Sequence, residues 1–205
     1  IAGLTVGMAC FLLIMLFVRY EYSYDRHHLN AERIYKVNVE QNISGRTFTA
    51  RTSPVPLGEA LKAEVPEVEN FTRLSGAGSV LVARENRRFT ERDAYFADPG
   101  ILEMFTFDLI DGDMDTALDE KNVVVLSKKM AVKYFGHEET LGQTLMLDNQ
   151  LPVRVTGVFA DHHPTSTVRP EILISFETLH ELASDSYFSN WTSQILDTYV
   201  LLPEE

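Results

Sequence analysis

Residues 1–18 read IAGLTVGMACFLLIMLFV and run straight into RYEYSYD at 19–25. The first stretch holds no charge and no proline. As a helix rising about 1.5 Å per residue it would span roughly 27 Å, close to the hydrocarbon thickness of a bilayer. It therefore predicts a transmembrane helix, and everything after Val18 reads as membrane-proximal. A cleavable signal peptide fits less well, because the run opens on Ile1 without a basic start and stays bulky through Leu16, Phe17 and Val18. A lipoprotein cysteine would follow the apolar stretch, whereas Cys10 sits inside it. A buried core helix is the remaining alternative to a span. Gly3 and Gly7 form a small-xxx-small pair that permits close helix contact in a membrane, a pattern that also recurs by chance. The start at Ile1 in place of Met leads us to expect a fragment beginning partway through a helix. Pro203, Glu204 and Glu205 close it before any second span.

The remainder is long enough for one good-sized domain or two small subdomains with cores of their own. The formal net charge is −12, with acidic residues spread along the chain. That balance argues against nucleic acid as a partner, since phosphate binding needs a basic surface. It also argues against adhesion to anionic headgroups, leaving attachment to the helix. A single Cys allows no intrachain disulfide. Asn42, Asn70 and Asn190 open Asn-x-Ser/Thr triplets, which chance explains.

Hydrophobic periodicity then sketches the fold. Ile34 to Glu40 alternates as a half-buried strand. Pro54 and Pro56 open a helix over Leu57 to Glu64 that Pro66 stops. Strands follow at Glu69 to Leu74, Ser79 to Arg84 and Arg87 to Tyr95, with turns at 75–78 and 85–86. A short helix from Pro99 to Met104 precedes the acidic turn 111–115 and a buried strand at Val123 to Leu126. Ser127 caps a helix that Gly136 ends. Leu145 to Leu147 and Val153 to Phe159 form a hairpin about Asp148, Asn149 and Gln150. A strand at Glu171 to Phe176, a helix at Glu177 to Ala183 and a strand at Asp197 to Leu202 close the chain. Strands and helices mix without strict alternation, so the class is α+β.

No constellation supports an enzyme. Asp111, Asp113 and Asp115 open like an EF-hand loop, but Thr116 stands where Gly is needed and Asn122 where a bidentate Glu is needed. Asp161, His162 and His163, like Asp25, Arg26, His27 and His28, set imidazoles beside carboxylates. Adjacent histidines make a poor metal pair on regular structure, and His162 and His163 read as surface residues before Pro164. Gly76 and Gly78 lack the third glycine of a dinucleotide fingerprint, Leu81 standing there, and there is no P-loop. Ser127 beside Lys128 and Lys129 reads as a cap in preference to a nucleophile, because Ser-x-x-Lys spacing falls on Met130. Tyr95, Phe96, Phe105 and Phe107 read as core. Catalytic, cofactor-binding and metal residues are therefore expected to number none, with no cofactor.

The order of these signals resembles a known family. Leu12 to Val18, then Tyr22, Ser23, Tyr24, Asp25, Arg26 and His27, then Asn30, Ala31 and Arg33 to Val37 look like the opening of bacterial ABC-transporter permeases of the MacB and FtsX type. Tyr95 to Asp98 leading to Phe105, Phe107, Leu109, Ile110 and Gly112 continues the likeness. So do Asn122, Val123, Val124, Leu126, Ser127, Ala131, Tyr134, Phe135 and Gly136, then Leu141, Gly142, Thr144, Leu145 and Val155 to Val158. Pro164, Ser166, Trp191 and Tyr199 fall where the family's extracytoplasmic domain tends to have them.

The resemblance implies a non-catalytic periplasmic domain of an inner-membrane permease, lying between the first and second spans. It implies a cytoplasmic ATPase subunit, a permease dimer, and either an exported substrate or a periplasmic partner. It also implies two lobes: a transmembrane helix at 1–18, a porter-like lobe built from 19–98 and 164–205, and a small inserted lobe at 99–163. The rival from another class is a single-span extracytoplasmic ligand-binding or sensor domain. A membrane-anchored hydrolase using His162 or His163 ranks lower.

Overall fold

The structure, a computed structural model, describes residues 2–43 and 45–204. Ile1, in the expected span, and Glu205, in the last expected segment, lie outside the described residues. Helix α1 (Ala2–Glu21) buries none of its side chains. It runs past Val18 because Arg19 sits in its last turn, where a cation complements the carbonyl end of the helix dipole.

Three short strands follow a linker: β1 (Ile34–Lys36), β2 (Val39–Ile43) and β3 (Arg46–Ala50). The alternating run Ile34 to Glu40 is thus two strands, not one. Period two says that a residue is extended but not which neighbour it pairs with. Here the chain leaves its first partner after Val37 donates to the Thr198 carbonyl at 2.9 Å, and β2 pairs with β3 alone.

Helix α2 (Leu57–Glu64) has the expected bounds, and β4 (Asn70–Gly76), β5 (Val80–Arg84), β6 (Arg87–Glu91) and β7 (Ala94–Ala97) come next. The expected strand Arg87 to Tyr95 is broken at Arg92 and Asp93. The Asp93 carbonyl there accepts from the amides of Glu171 and Ile172 at 2.8 and 3.1 Å, turning the chain from one pairing to another. Helix α3 (Gly100–Met104) buries Ile101, Leu102 and Met104. Then come β8 (Leu109–Gly112), β9 (Val123–Ser127) and α4 (Lys128–Phe135). The Ser127 hydroxyl accepts from the Met130 amide at 3.2 Å, and Gly136 ends α4 at φ +84°.

Strands β10 (Thr144–Leu147) and β11 (Leu151–Phe159) are joined by a turn in which Asp148 and Asn149 both hold positive φ. After β12 (Ile172–Ser175) the expected helix Glu177 to Ala183 is a 3₁₀ turn, Phe176–Thr178, followed by α5 (Leu179–Leu182). The tighter winding lets Phe176 and Thr178 both stay buried while the Thr178 hydroxyl accepts from the Asn122 amide at 3.0 Å. Helix α6 (Asp185–Phe188) and β13 (Asp197–Leu201) complete the chain.

One eleven-stranded sheet runs β1-β13-β4-β7-β12-β9-β11-β10-β5-β6, with β8 added alongside β11. Within it β9 and β11 are parallel, as are β7 and β12, and the remaining pairs are antiparallel. Its centre is apolar on both faces. Val124, Leu126, Ile172 and Ile174 point to a core with α4, while Val125 and Leu173 point to a second core with α3.

Candidate functional site

The folded domain meets the membrane helix through residues 22–33, a segment of turns held by side chains on the far side of the sequence. Its first anchor is Asp25, at φ +58°, a left-handed conformation that Asp tolerates better than most residues. The Asp25 amide donates to the Thr165 carbonyl at 2.9 Å. In return its carboxylate accepts from the Thr167 amide at 2.8 Å and the Thr167 hydroxyl at 2.6 Å. The second anchor is the Leu29 amide, which donates to the Thr106 hydroxyl at 2.9 Å. The third is Arg33, whose Nε donates to the Leu202 carbonyl at 2.8 Å and whose Nη2 pairs with Glu69. The exit from α1 is thus bonded to the loops after α3 and β11 and to the end of β13.

Between these anchors four histidines gather. His27 stacks on His163 with centroids 4.7 Å apart and tilts against His28 at 3.9 Å. His28, 7% exposed, lies edge-on to Phe105. With His162 they line a cavity of about 260 Å³. The Nδ1 atoms of His27 and His28 and the Nε2 of His28 are buried without a hydrogen-bond partner, the nearest carboxylate being Asp25, 3.6 Å from His28 Nε2. Burial, and next the facing imidazole, holds the His27 and His28 basicities below the usual range, against a weaker upward pull from Asp25. The two other rings are held locally. His162 Nε2 donates to the Pro170 carbonyl at 2.6 Å, and His163 Nδ1 accepts from the Thr165 amide at 3.3 Å.

The sequence paired these histidines only with their immediate neighbours. It gave no sign that the two pairs meet, because 134 residues or more separate them along the chain. No spacing marks Thr165, Thr167 or Thr106 as anchors, whereas Asp25, Arg33 and Ser166 stand in the resembled motifs without a role attached. Among the described residues no group of three or more His, Cys, Asp or Glu is arranged to hold a metal ion.

The other residues singled out serve structure. The carboxylates of Asp111 and Asp113 accept from the Gly112 and Asp115 amides, the pattern of a solvated turn. Ser127 is fully buried and donates to Glu171 at 2.5 Å, so its oxygen faces no open site. Lys129 closes on the same Glu171 at 2.7 Å. Burial alone would raise the Glu171 carboxyl, but the bonds from Lys129 and Ser127 outweigh it and hold the group below its usual range. Gly78 makes a turn at φ +72°. Phe105 and Phe107 are buried, and Tyr95 and Phe96 pack on the cores half-exposed.

One buried ionic cluster was not read from the sequence. Arg73 makes a bidentate pair with Asp98, Nε to Oδ2 at 2.9 Å and Nη2 to Oδ1 at 2.8 Å. Its Nη1 reaches the Val55 carbonyl and Glu59, and its guanidinium lies 4.0 Å over the Phe176 ring. This joins α2, β4, the start of α3 and the turn after β12.

Solved structures share this fold. A domain of a candidate permease protein from Porphyromonas gingivalis superimposes with a TM-score of 0.71 at 23% identity, covering 86% of this chain and 77% of that one. The periplasmic region of MacB from Actinobacillus actinomycetemcomitans gives 0.59 at 17% identity, over 84% and 74%. The extracellular domain of the noncanonic ABC-type transporter YknZ from Gram-positive bacteria gives 0.56 at 17%, over 84% and 83%. Among curated proteins none matches in sequence. The family model for the MacB-like periplasmic core domain matches residues 1–205, and the chain belongs to that family of ABC-transporter permease periplasmic domains.

Proposed function

We propose that this domain carries force for an ABC permease of the bacterial inner membrane. ATP hydrolysis on a separate cytoplasmic subunit moves the membrane helices of a permease dimer. The periplasmic domains follow and expel a substrate or act on a periplasmic partner. The observation that carries this reading is the junction itself: Asp25 and Arg33 tie the exit of α1 to Thr165, Thr167, Glu69 and Leu202, so displacement of the helix pulls on both sides of the sheet. A mere tether would need no such bonds.

The proposed division into 19–98 with 164–205 and an insert at 99–163 draws support from strand order. Strands from both ends of the chain, β1, β13 and β4, are neighbours at one edge, while β9, β11 and β10 lie together beyond β12. β5 and β6 extend that second group although they precede residue 99. Limited proteolysis that nicked near 98 and 163 and released a stable 99–163 piece would support the division.

The test of function is purification of the complete tagged protein from gently solubilised membranes, with assay of ATP hydrolysis. A stoichiometric P-loop ATPase supports the transporter, and Asp25→Ala should then reduce substrate-dependent activity without loss of the complex. Recovery of a single-span protein without an ATPase favours the sensor reading instead.

A further inference from the structure

Resting on the force-transmitting reading, we propose that His27 and His28, packed against the loop that carries His162 and His163, form an acid-sensitive latch that docks the exit of α1 on the domain when neutral and releases it when the surroundings acidify.

The geometry carries this. His27, on the element tied to the membrane helix, contacts His28 at 3.9 Å and His163, on a loop of the domain, at 4.7 Å. Charging any of them places a cation against a ring that can itself become charged, in a site partly closed to water. His28 has no formed hydrogen bond to disperse a charge, Asp25 at 3.6 Å and the Phe105 backbone being the groups near enough to favour one. The consequence reaches the anchor directly. His163 Nδ1 accepts from the Thr165 amide and contacts its hydroxyl at 2.9 Å. A cation on His27 would push against the stacked His163 ring, and through it against the turn that presents the Thr165 carbonyl to Asp25.

The charged groups around the cluster come from every element packed on it. The linker contributes Asp25. The loop after α3 contributes Asp108, and the loop after β11 contributes Asp161 and Arg169. Glu171 lies near His162, and Tyr199 of β13 packs on Phe105. Asp25 is the carboxylate positioned to favour a protonated histidine, and it is already engaged by both donors of Thr167.

The lowered basicity of His27 and His28 sets the direction. The docked state binds fewer protons than the undocked one once the pH falls below about 6.5, the ordinary histidine value. In acid His27 and His28 therefore take up protons more readily in the released state than in the docked one, which shifts the equilibrium toward release.

The test is hydrogen exchange on the full-length protein in lipid nanodiscs at pH 7.5 and 5.5, corrected for intrinsic rates. We expect protection of the Asp25 and Thr167 amides to fall at least tenfold in acid while β9 stays protected. In H27F, which keeps a ring but cannot titrate, and in H163Q, the fall should shrink to under threefold. Equal protection at both pH values, or the same loss in wild type and both variants, would overturn the latch. Co-purification of an ATPase is scored separately. A pH-sensitive junction without an ATPase keeps the latch and removes the transport role; an ATPase with a pH-insensitive junction removes the latch alone.

Discussion

Two polar clusters inside this domain solve the same problem in opposite ways. Arg73, nearly buried, has every direction filled: Asp98 bidentate, the Val55 carbonyl, Glu59, and the face of Phe176. At the junction His27 and His28, the one partly and the other fully buried, sit beside one another with buried ring nitrogens unpaired. The first arrangement holds its charge at any pH a cell meets and fixes four elements in place. The second tolerates burial only while neutral, so its stability depends on the proton concentration around it. A satisfied cluster serves as a rivet, and an unsatisfied one remains able to respond.

The largest effect should come from breaking the rivet. Asp98→Ala leaves the Arg73 guanidinium buried beside an exposed Glu59, and equilibrium denaturation should show a loss of about 3–5 kcal/mol. The comparison sharpens when both partners are removed. A Arg73→Met, Asp98→Leu double variant should recover at least half of that loss, because no unpaired charge is left behind. A double variant no better than Asp98→Ala would show that the ion pair itself, and not its orphaned half, carries the stability.

A smaller change is expected at the junction. Asp25→Ala removes two hydrogen bonds to Thr167 from a partly exposed carboxylate, which should cost about 1–2 kcal/mol. Acidification from pH 7.5 to 5.5 should lower stability, by less than the loss of Asp25 does. The sign follows from His27 and His28: their native basicities lie below the unfolded value, so stability is full above about pH 6.5 and declines as the pH drops toward the native values. Unfolding midpoints at the two pH values, in wild type and in H27F, measure that dependence, and the variant should show a smaller drop. Smallest of all, removal of Glu120, an exposed partner of Arg154, should leave the midpoint unchanged within error.

Much of the fold is legible in local chemistry. Ser127 and Gly136 bound α4 because a hydroxyl cap and a left-handed stop are local devices, and Leu57 to Glu64 stands between prolines for the same reason. Val123 to Leu126 declares a strand buried on both faces. What stays hidden depends on distant partners. The break between β1 and β2 is decided by Thr198, and the break at Asp93 by Glu171 and Ile172. The β2–β3 hairpin escaped notice although Gly45, at φ +79°, and the alternating Arg46 to Ala50 mark it, because its exposed faces bury too little to give a hydrophobic signature. The meeting of His27 with His163 and the pairing of Arg73 with Asp98 are likewise tertiary facts, with no spacing rule to announce them.

The pairing of β1 with β13 governs how a load would spread. Ile34, Tyr35 and Lys36 lie against Leu201, Val200 and Tyr199 in antiparallel register. A pull arriving from α1 along the axis of β1, with the rest of the sheet held, stresses all of these backbone bonds together in shear instead of peeling them one after another. The Arg33 contacts to Leu202 and Glu69 stand in front of the ladder and take up strain before it does. Under the proposed role, so short a strand would be a tow hook, its few bonds loaded together.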